Sequence, residues 1–347
     1  MPQTDPVPEA PARPGDGPVR NRPIALLLPG QGSQHPHMAA GLYERDAVFT
    51  AAMDEVFDEL GADGSRMRDD WLAETPRVPP DHVTRSQPLL FAVDHALARA
   101  AESRGVRPLA LLGHSVGELA GGVLAGVFEL RDAARIIWDR ARRLALEPPG
   151  GMLAVAAAPG EVAAYLAPGV GIGAVNAPRQ IMLAGPAEPL ARTEKALRAA
   201  EFACREVRAG VAFHSPSLAG AVSTEVFAGV RLGAPRIELW SAYSAAPLTP
   251  ELARSPEFWA GHPVEPVLFG PALDGLLGSA DHLLVEAGPG QGLSALARRH
   301  PRVRGGGSSV VSLLPAAPRG PEADLASVRT AFEALRRAGY QVTETRR

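Results

Sequence analysis

The residues best able to do chemistry are Gly113-His114-Ser115-Val116-Gly117-Glu118, which read G-x-S-x-G behind the apolar run Leu109-Ala110-Leu111-Leu112. A short strand, a strained turn and a helix in that order make a nucleophile elbow, which lifts a serine hydroxyl above the end of a sheet. The N–H of the following residue can then face an oxyanion. The expected chemistry is acyl transfer through Ser115. An ordinary esterase would carry the same pattern, so the base has to discriminate. In an α/β-hydrolase a carboxylate and then a late histidine follow the serine. The last histidines here are His282 and His300, and Ala297-Arg298-Arg299-His300-Pro301 reads as a solvated helix end. The other candidate is His214, in Val211-Ala212-Phe213-His214-Ser215-Pro216, 99 residues after Ser115. No acid stands out as a third member. A Ser–His pair whose imidazole is oriented by a backbone carbonyl would explain that, and it suffices for a thioester, whose thiol leaves readily.

Arg140 is the second discriminator. On a helix over 132–146, at about 100° per residue, Asp132, Arg135, Asp139, Arg142 and Arg143 share one face. Arg140 falls outside it, beside Ala133, Ile136 and Leu144. A guanidinium next to an apolar stripe needs a carboxylate partner. That partner is either an internal Asp or Glu or the carboxylate of a dicarboxylic acyl group, and periodicity does not choose.

These residues need a frame. The first strand is Ile24–Leu28, which runs into the turn-forming loop Pro29-Gly30-Gln31-Gly32-Ser33-Gln34. Helical spacing covers 38–61 and 87–104, and a buried strand at Leu283–Glu286 ends in Ala287-Gly288-Pro289-Gly290. Between 151 and 209 the rhythm becomes β-α-β-β-α-β, a ferredoxin-like unit, with strands at 152–157, 170–175, 180–184 and Cys204–Val207 and helices at 160–166 and 188–201. The expected fold is α/β: an α/β-hydrolase-like large subdomain (24–150 and 210–340) with a parallel sheet and the elbow, and a ferredoxin-like small subdomain (151–209) inserted in it. A last helix is expected at about 321–338. Residues 1–23 hold seven prolines and read as a disordered tail, and 341–347 read as a C-terminal tail.

Composition bounds the function. Of 347 residues, 46% are apolar, as in ordinary globular proteins, and no run approaches the ~18 apolar residues of a membrane span. No signal layout opens the chain, so a cytoplasmic protein that does not engage membranes is expected. Cys204 is the only cysteine, which excludes an intrachain disulfide and a multi-cysteine zinc site; it reads as a plain packing residue. The net charge of −3 offers no general basic field to nucleic acid. Lys195 is the only lysine, a trait of genome composition.

Together the motifs resemble the malonyl-CoA:acyl carrier protein transacylases, found free-standing or as the acyltransferase domains of polyketide synthases. The resemblance covers about 24–340. Pro29–Gln34 is similar to the family's opening loop, and the elbow to its nucleophile motif. Arg140 stands 25 residues after Ser115, the family's spacing for the arginine that pairs with the extender carboxylate. Val211-Ala212-Phe213-His214 resembles the motif of the catalytic histidine, and Glu286-Ala287-Gly288-Pro289-Gly290 the late turn. The resemblance implies Ser115 as nucleophile and His214 as its base. It implies an oxyanion hole from the backbone N–H groups of Gln31 and Val116, and Arg140 as carboxylate clamp. Gln87 and Asn176 align with polar residues that line or brace the cleft. His262 aligns with the residue whose carbonyl holds the catalytic imidazole, where the family usually has Asn or Gln.

In this family the residue after the serine and the four residues ending in the histidine follow the acyl group. An aliphatic residue with His-Ala-Phe-His goes with malonyl; Gln with Tyr-Ala-Ser-His goes with methylmalonyl. Val116 and Phe213 favour malonyl, since a phenyl ring crowds a branched α-carbon, whereas Val211 fits neither pattern and leaves room for an unusual group. The resemblance implies no bound cofactor or metal. A CoA thioester is the implied donor and a carrier-protein phosphopantetheine thiol the acceptor. A free-standing, monomeric member acting on a separate carrier is expected, in polyketide or fatty acid biosynthesis. Transfer between two carriers, an editing hydrolase and a non-catalytic docking subunit are the alternatives.

Overall fold

The computed structural model describes residues 22–207 and 209–343; residues 1–21 of the proline-rich stretch and 344–347 lie outside them. Ten strands form two sheets: β1 (Ile24–Leu28), β2 (Pro108–Gly113), β3 (Gly150–Val155), β4 (Gly171–Ala177), β5 (Gln180–Pro186), β6 (Cys204–Val207), β7 (Glu238–Ser241), β8 (Ala246–Pro247), β9 (Leu283–Glu286) and β10 (Ser309–Ser312). The helices that matter for the site are α1 (Ala47–Glu59), α2 (Ala62–Leu72), α3 (Val83–Ser103), α4 (Val116–Leu124) and α5 (Leu130–Leu144).

All five residues of β1 are buried, as a central parallel strand covered on both faces requires. Leu26 and Leu28 pack with Phe49 of α1, Phe91 of α3 and Leu119 of α4. Ala25 and Leu27 point to the opposite side, against Phe269, Leu273 and Leu276. The large sheet runs in the order β10-β9-β1-β2-β7-β8. It is parallel through β7, but β8 pairs antiparallel with β7, so the sheet is mixed rather than wholly parallel. The chain reverses within four residues after Ser241, too few for a parallel crossover, and Pro247 suits a sheet edge.

Register brings the chemistry together. Leu28 lies opposite Gly113, and Leu27 opposite Glu286. The loops that leave β1, β2 and β9 therefore meet at the carboxyl end of the sheet, where open α/β sheets form their crevices.

The small sheet is antiparallel in the order β4-β5-β3-β6, the ferredoxin-like arrangement. One face holds Val162, Leu190 and Leu197 from its own helices. The other contributes Met152 and Ala184 to a cluster with Leu144, Val211 and Phe213. Val175 N–H donates to the Val267 carbonyl at 2.8 Å and Val267 N–H to Gly173 at 2.9 Å, so the small sheet is stitched to the body beside the crevice.

The spacing over 38–61 divides into a 3₁₀ turn at Ala40–Leu42 and α1, because Asp46 caps Val48 and Phe49 and starts the helix there. A further helix, α2, follows Gly61; its sequence is so polar that only Met67 and Trp71 are buried apolar anchors, which hides the period. Of the expected tails, only residues 22–23 and 341–343 are described. Pro23 accepts from Leu283 N–H, Val342 is buried, and Thr343 N–H donates to the Arg104 carbonyl. Among the described residues no helix is long and apolar enough to cross a membrane.

Candidate active site

Ser115 sits between β2 and α4 with φ 54° and ψ −117°, outside the regions that L-residues favour. Backbone pairing holds it there. His114 N–H reaches the Leu28 carbonyl at 2.9 Å, and Gly117 and Glu118 donate to the His114 and Ser115 carbonyls at 3.0 Å. The glycines of the motif are spatial necessities. A Cβ on Gly117 would overlap the Leu28 carbonyl, and one on Gly30 would overlap the His114 carbonyl. We therefore expect Gly117→Ala to lower stability by about 3 kcal/mol, since neither strand end can move away. Thermal unfolding reads this, and an unchanged midpoint would refute the close packing of β1 on the elbow. Val116 is the first residue of α4, so its N–H is among those a helix start leaves without an internal partner.

His214 also has positive φ, 62°, and its N–H is tied to the Pro263 carbonyl at 2.8 Å. Its Nδ1 lies 3.0 Å from the carbonyls of both His262 and Glu265. Two acceptors require a proton on Nδ1. Nε2 then keeps its lone pair, and it lies 2.8 Å from Ser115 Oγ. Burial pulls the imidazole down to about 4, and His114 and Arg140 push the same way against the two carbonyls. At neutral pH the ring is an uncharged acceptor of the serine proton.

Arg140 is buried on α5 and donates from Nη2 to the Trp259 carbonyl at 2.6 Å. Its neighbour Asp139 is engaged with Arg143 at 2.8 Å. Among the described residues no carboxylate lies within ion-pair distance of Arg140. Burial lowers its pKa to about 10, so the side chain stays charged. The internal ion pair that periodicity allowed is therefore not made, and the cation is left facing the cleft.

Gln87, Ser115, Arg140, His214 and His262 border one narrow cleft, walled by Val116, Leu144, Phe213 and Pro263. Gln87 Oε1 is buried there without a partner. The other sequence candidates are not among the residues that line it. Gln31 is locked side chain to side chain with Ser86, Asn176 Oδ1 lies 2.9 Å from His114 Nε2, and Val211 shares an apolar cluster with Phe213. His300 pairs with Asp274, not with Ser115. Two contributions had no sequence signal. One is Tyr243, which lines the cleft from the loop after β7; the other is the set of carbonyls of Trp259 and Glu265, which depend only on backbone path. A larger hollow of about 300 Å³ between Asp63, Arg77, Arg85 and Trp138 is lined by no serine, cysteine or histidine.

A strained serine above the carboxyl end of an α/β sheet, beside an inserted ferredoxin-like sheet, is an acyltransferase architecture. Residues 26–341 match the family described as "Acyl transferase domain", and the chain belongs to it. It is 36% identical over 286 residues to a phenolphthiocerol/phthiocerol polyketide synthase component of Mycobacterium tuberculosis, spanning 80% of this chain and 19% of that one. With polyketide synthase GfsB of Streptomyces halstedii it shares 37% identity over 281 residues, 79% of this chain and 5% of that one. The chain thus spans only a small part of these relatives. Among solved structures, the acyltransferase domain of SpnD in complex with 2-(pent-4-yn-1-yl)malonyl superposes with a TM-score of 0.85 at 31% identity, covering 96% of this chain and 80% of that one. A malonyl CoA-acyl carrier protein transacylase from Clostridium perfringens, at 19% identity and a TM-score of 0.78 over 91% of this chain and 98% of that one, shares the fold.

Proposed function

We propose that this chain moves a malonyl-type, dicarboxylic acyl group from CoA to the phosphopantetheine thiol of an acyl carrier protein, in polyketide or fatty acid biosynthesis. The observation that carries the reading is the meeting of three groups in one cleft: Ser115, the neutral His214 bonded to it, and a buried arginine with no acid of its own. The polyketide synthases among the relatives, and the malonyl-type ligand of the SpnD domain, support it.

Nε2 of His214 takes the Ser115 proton as Oγ attacks the thioester carbonyl. The N–H groups of Gln31 and Val116 receive the oxyanion, where losing one such donor typically costs about 10²–10³ in rate. The C–S bond breaks, and His214 returns the proton to the departing CoA sulfur. The carrier thiol then gives its proton to His214 and attacks the acyl-serine, and the proton ends on Ser115 Oγ. The His262 and Glu265 carbonyls hold the Nδ1 proton throughout and stabilise the transient imidazolium. No carboxylate is required, because a thiolate leaves far more easily than an amine. Arg140 grips the free carboxylate through its remaining N–H groups, and Phe213 narrows the space beside the α-carbon.

Mass spectrometry of the protein incubated with a panel of acyl-CoAs, then with a carrier protein, tests the reading. Malonyl should load Ser115 and leave on the carrier thiol; release to water alone would make it a hydrolase. The pH dependence follows from His214. Its base form exists above its pKa, so the acylation rate should hold as pH falls through 6.5, the ordinary imidazole value, and drop near 4. A midpoint near 6.5 would place His214 in water and remove the argument from burial.

A further inference from the structure

Tyr243 borders the cleft together with Ser115, Arg140 and His214. Its position is fixed from both sides. Glu118, on the first turn of α4, accepts the Ala242 N–H at 2.9 Å, and the Tyr243 N–H donates to Ser241 Oγ at 3.0 Å. The phenol ring stacks on the His262 imidazole with centroids 3.8 Å apart and planes 16° apart, and meets Phe258 edge-on at 6.4 Å. The ring is thus a rigid wall. Yet its hydroxyl, close to Ser115, is buried without a well-formed hydrogen bond. A buried hydroxyl short of a well-formed hydrogen bond is tolerated where a ligand completes it. Burial holds the hydroxyl protonated, hence able to donate, and Glu118 pushes the same way. The Arg140 cation and the nearby Ser115 hydroxyl oppose them.

We propose that Tyr243 is a specificity-determining residue whose O–H donates to the free carboxylate of the bound acyl group, alongside Arg140. Arg140 already gives Nη2 to the Trp259 carbonyl, so a second donor lining the same cleft completes the grip. A carboxylate held by a guanidinium fork and a phenol is fixed in two directions, which aims the thioester carbonyl at Ser115. The inference rests on the dicarboxylic reading above.

The test is Tyr243→Phe, which keeps the ring and its stacking and removes only the hydroxyl. Initial rates of Ser115 acylation are measured by mass spectrometry across concentrations of malonyl-CoA and of acetyl-CoA, and thermal unfolding is recorded alongside. The expected result is a loss of about tenfold in malonyl kcat/KM, the scale of one hydrogen bond to a charged group, with acetyl changed less than about twofold. An equal loss for both donors would assign Tyr243 to packing and overturn the proposal, as would unchanged malonyl kinetics. Failure of the wild-type protein to prefer malonyl over acetyl would instead sink the dicarboxylic reading, and this proposal with it. Tyr243→Leu, which removes stacking as well, should lower the unfolding midpoint where Tyr243→Phe does not.

Discussion

Ser115→Ala should abolish covalent labelling by malonyl-CoA and reduce transfer to a carrier protein by about 10⁴-fold or more, the scale seen when a nucleophile is removed from a concerted site. The substitution deletes one oxygen. Alanine suffers the same φ of 54° as serine, so the strained turn is neither relieved nor worsened, and thermal stability should stay within ~0.5 kcal/mol. That separates chemistry from folding. No second nucleophile stands ready to take over. Cys204 lies on β6 of the small sheet, and burial and Glu194 push its thiol up, away from thiolate, with Arg198 opposing. Intact-mass measurement reads the outcome, and an acyl adduct persisting on Ser115→Ala would remove Ser115 from its role.

Arg140→Ala is expected to lower malonyl transfer by about 10²-fold while acetyl transfer falls little. The difference follows from charge. Truncating one partner of a buried, hydrogen-bonded charge pair costs about 2–5 kcal/mol, and only malonyl supplies the other partner. Lysine should restore little, since a point charge cannot make two parallel bonds to a carboxylate. The apo protein should be no less stable, and we expect its unfolding midpoint to hold or rise, because a buried cation whose only partner found is the Trp259 carbonyl is costly to retain. Acylation rates for the two donors and a thermal melt decide it. Equal losses for both donors, or a marked fall in stability, would return Arg140 to a structural role.

Local patterning already carried the elbow in this sequence, because strand, tight turn and helix there follow one another within a dozen residues and each uses nearest-neighbour constraints. The same holds for β1, whose bounds are those of its apolar run, and for the β-α-β-β-α-β order of the small sheet. The dipeptide-scale cues failed where polarity hid periodicity, as in α2, and where the chain turned back on itself, as in β8.

The sequence by itself determined which residue types could do acyl chemistry, Ser115, His214 and Arg140, because side-chain reactivity travels with residue identity and helical spacing put Arg140 beside an apolar stripe. Tertiary structure alone decided that Ser115 and His214, 99 residues apart, lie 2.8 Å from each other. It alone decided that Arg140 finds a backbone carbonyl instead of an acid, and that Tyr243 brings a buried hydroxyl to the same cleft. Those facts depend on strand register at one end of a sheet and on the paths of backbone carbonyls, which every residue type carries alike and no sequence pattern marks.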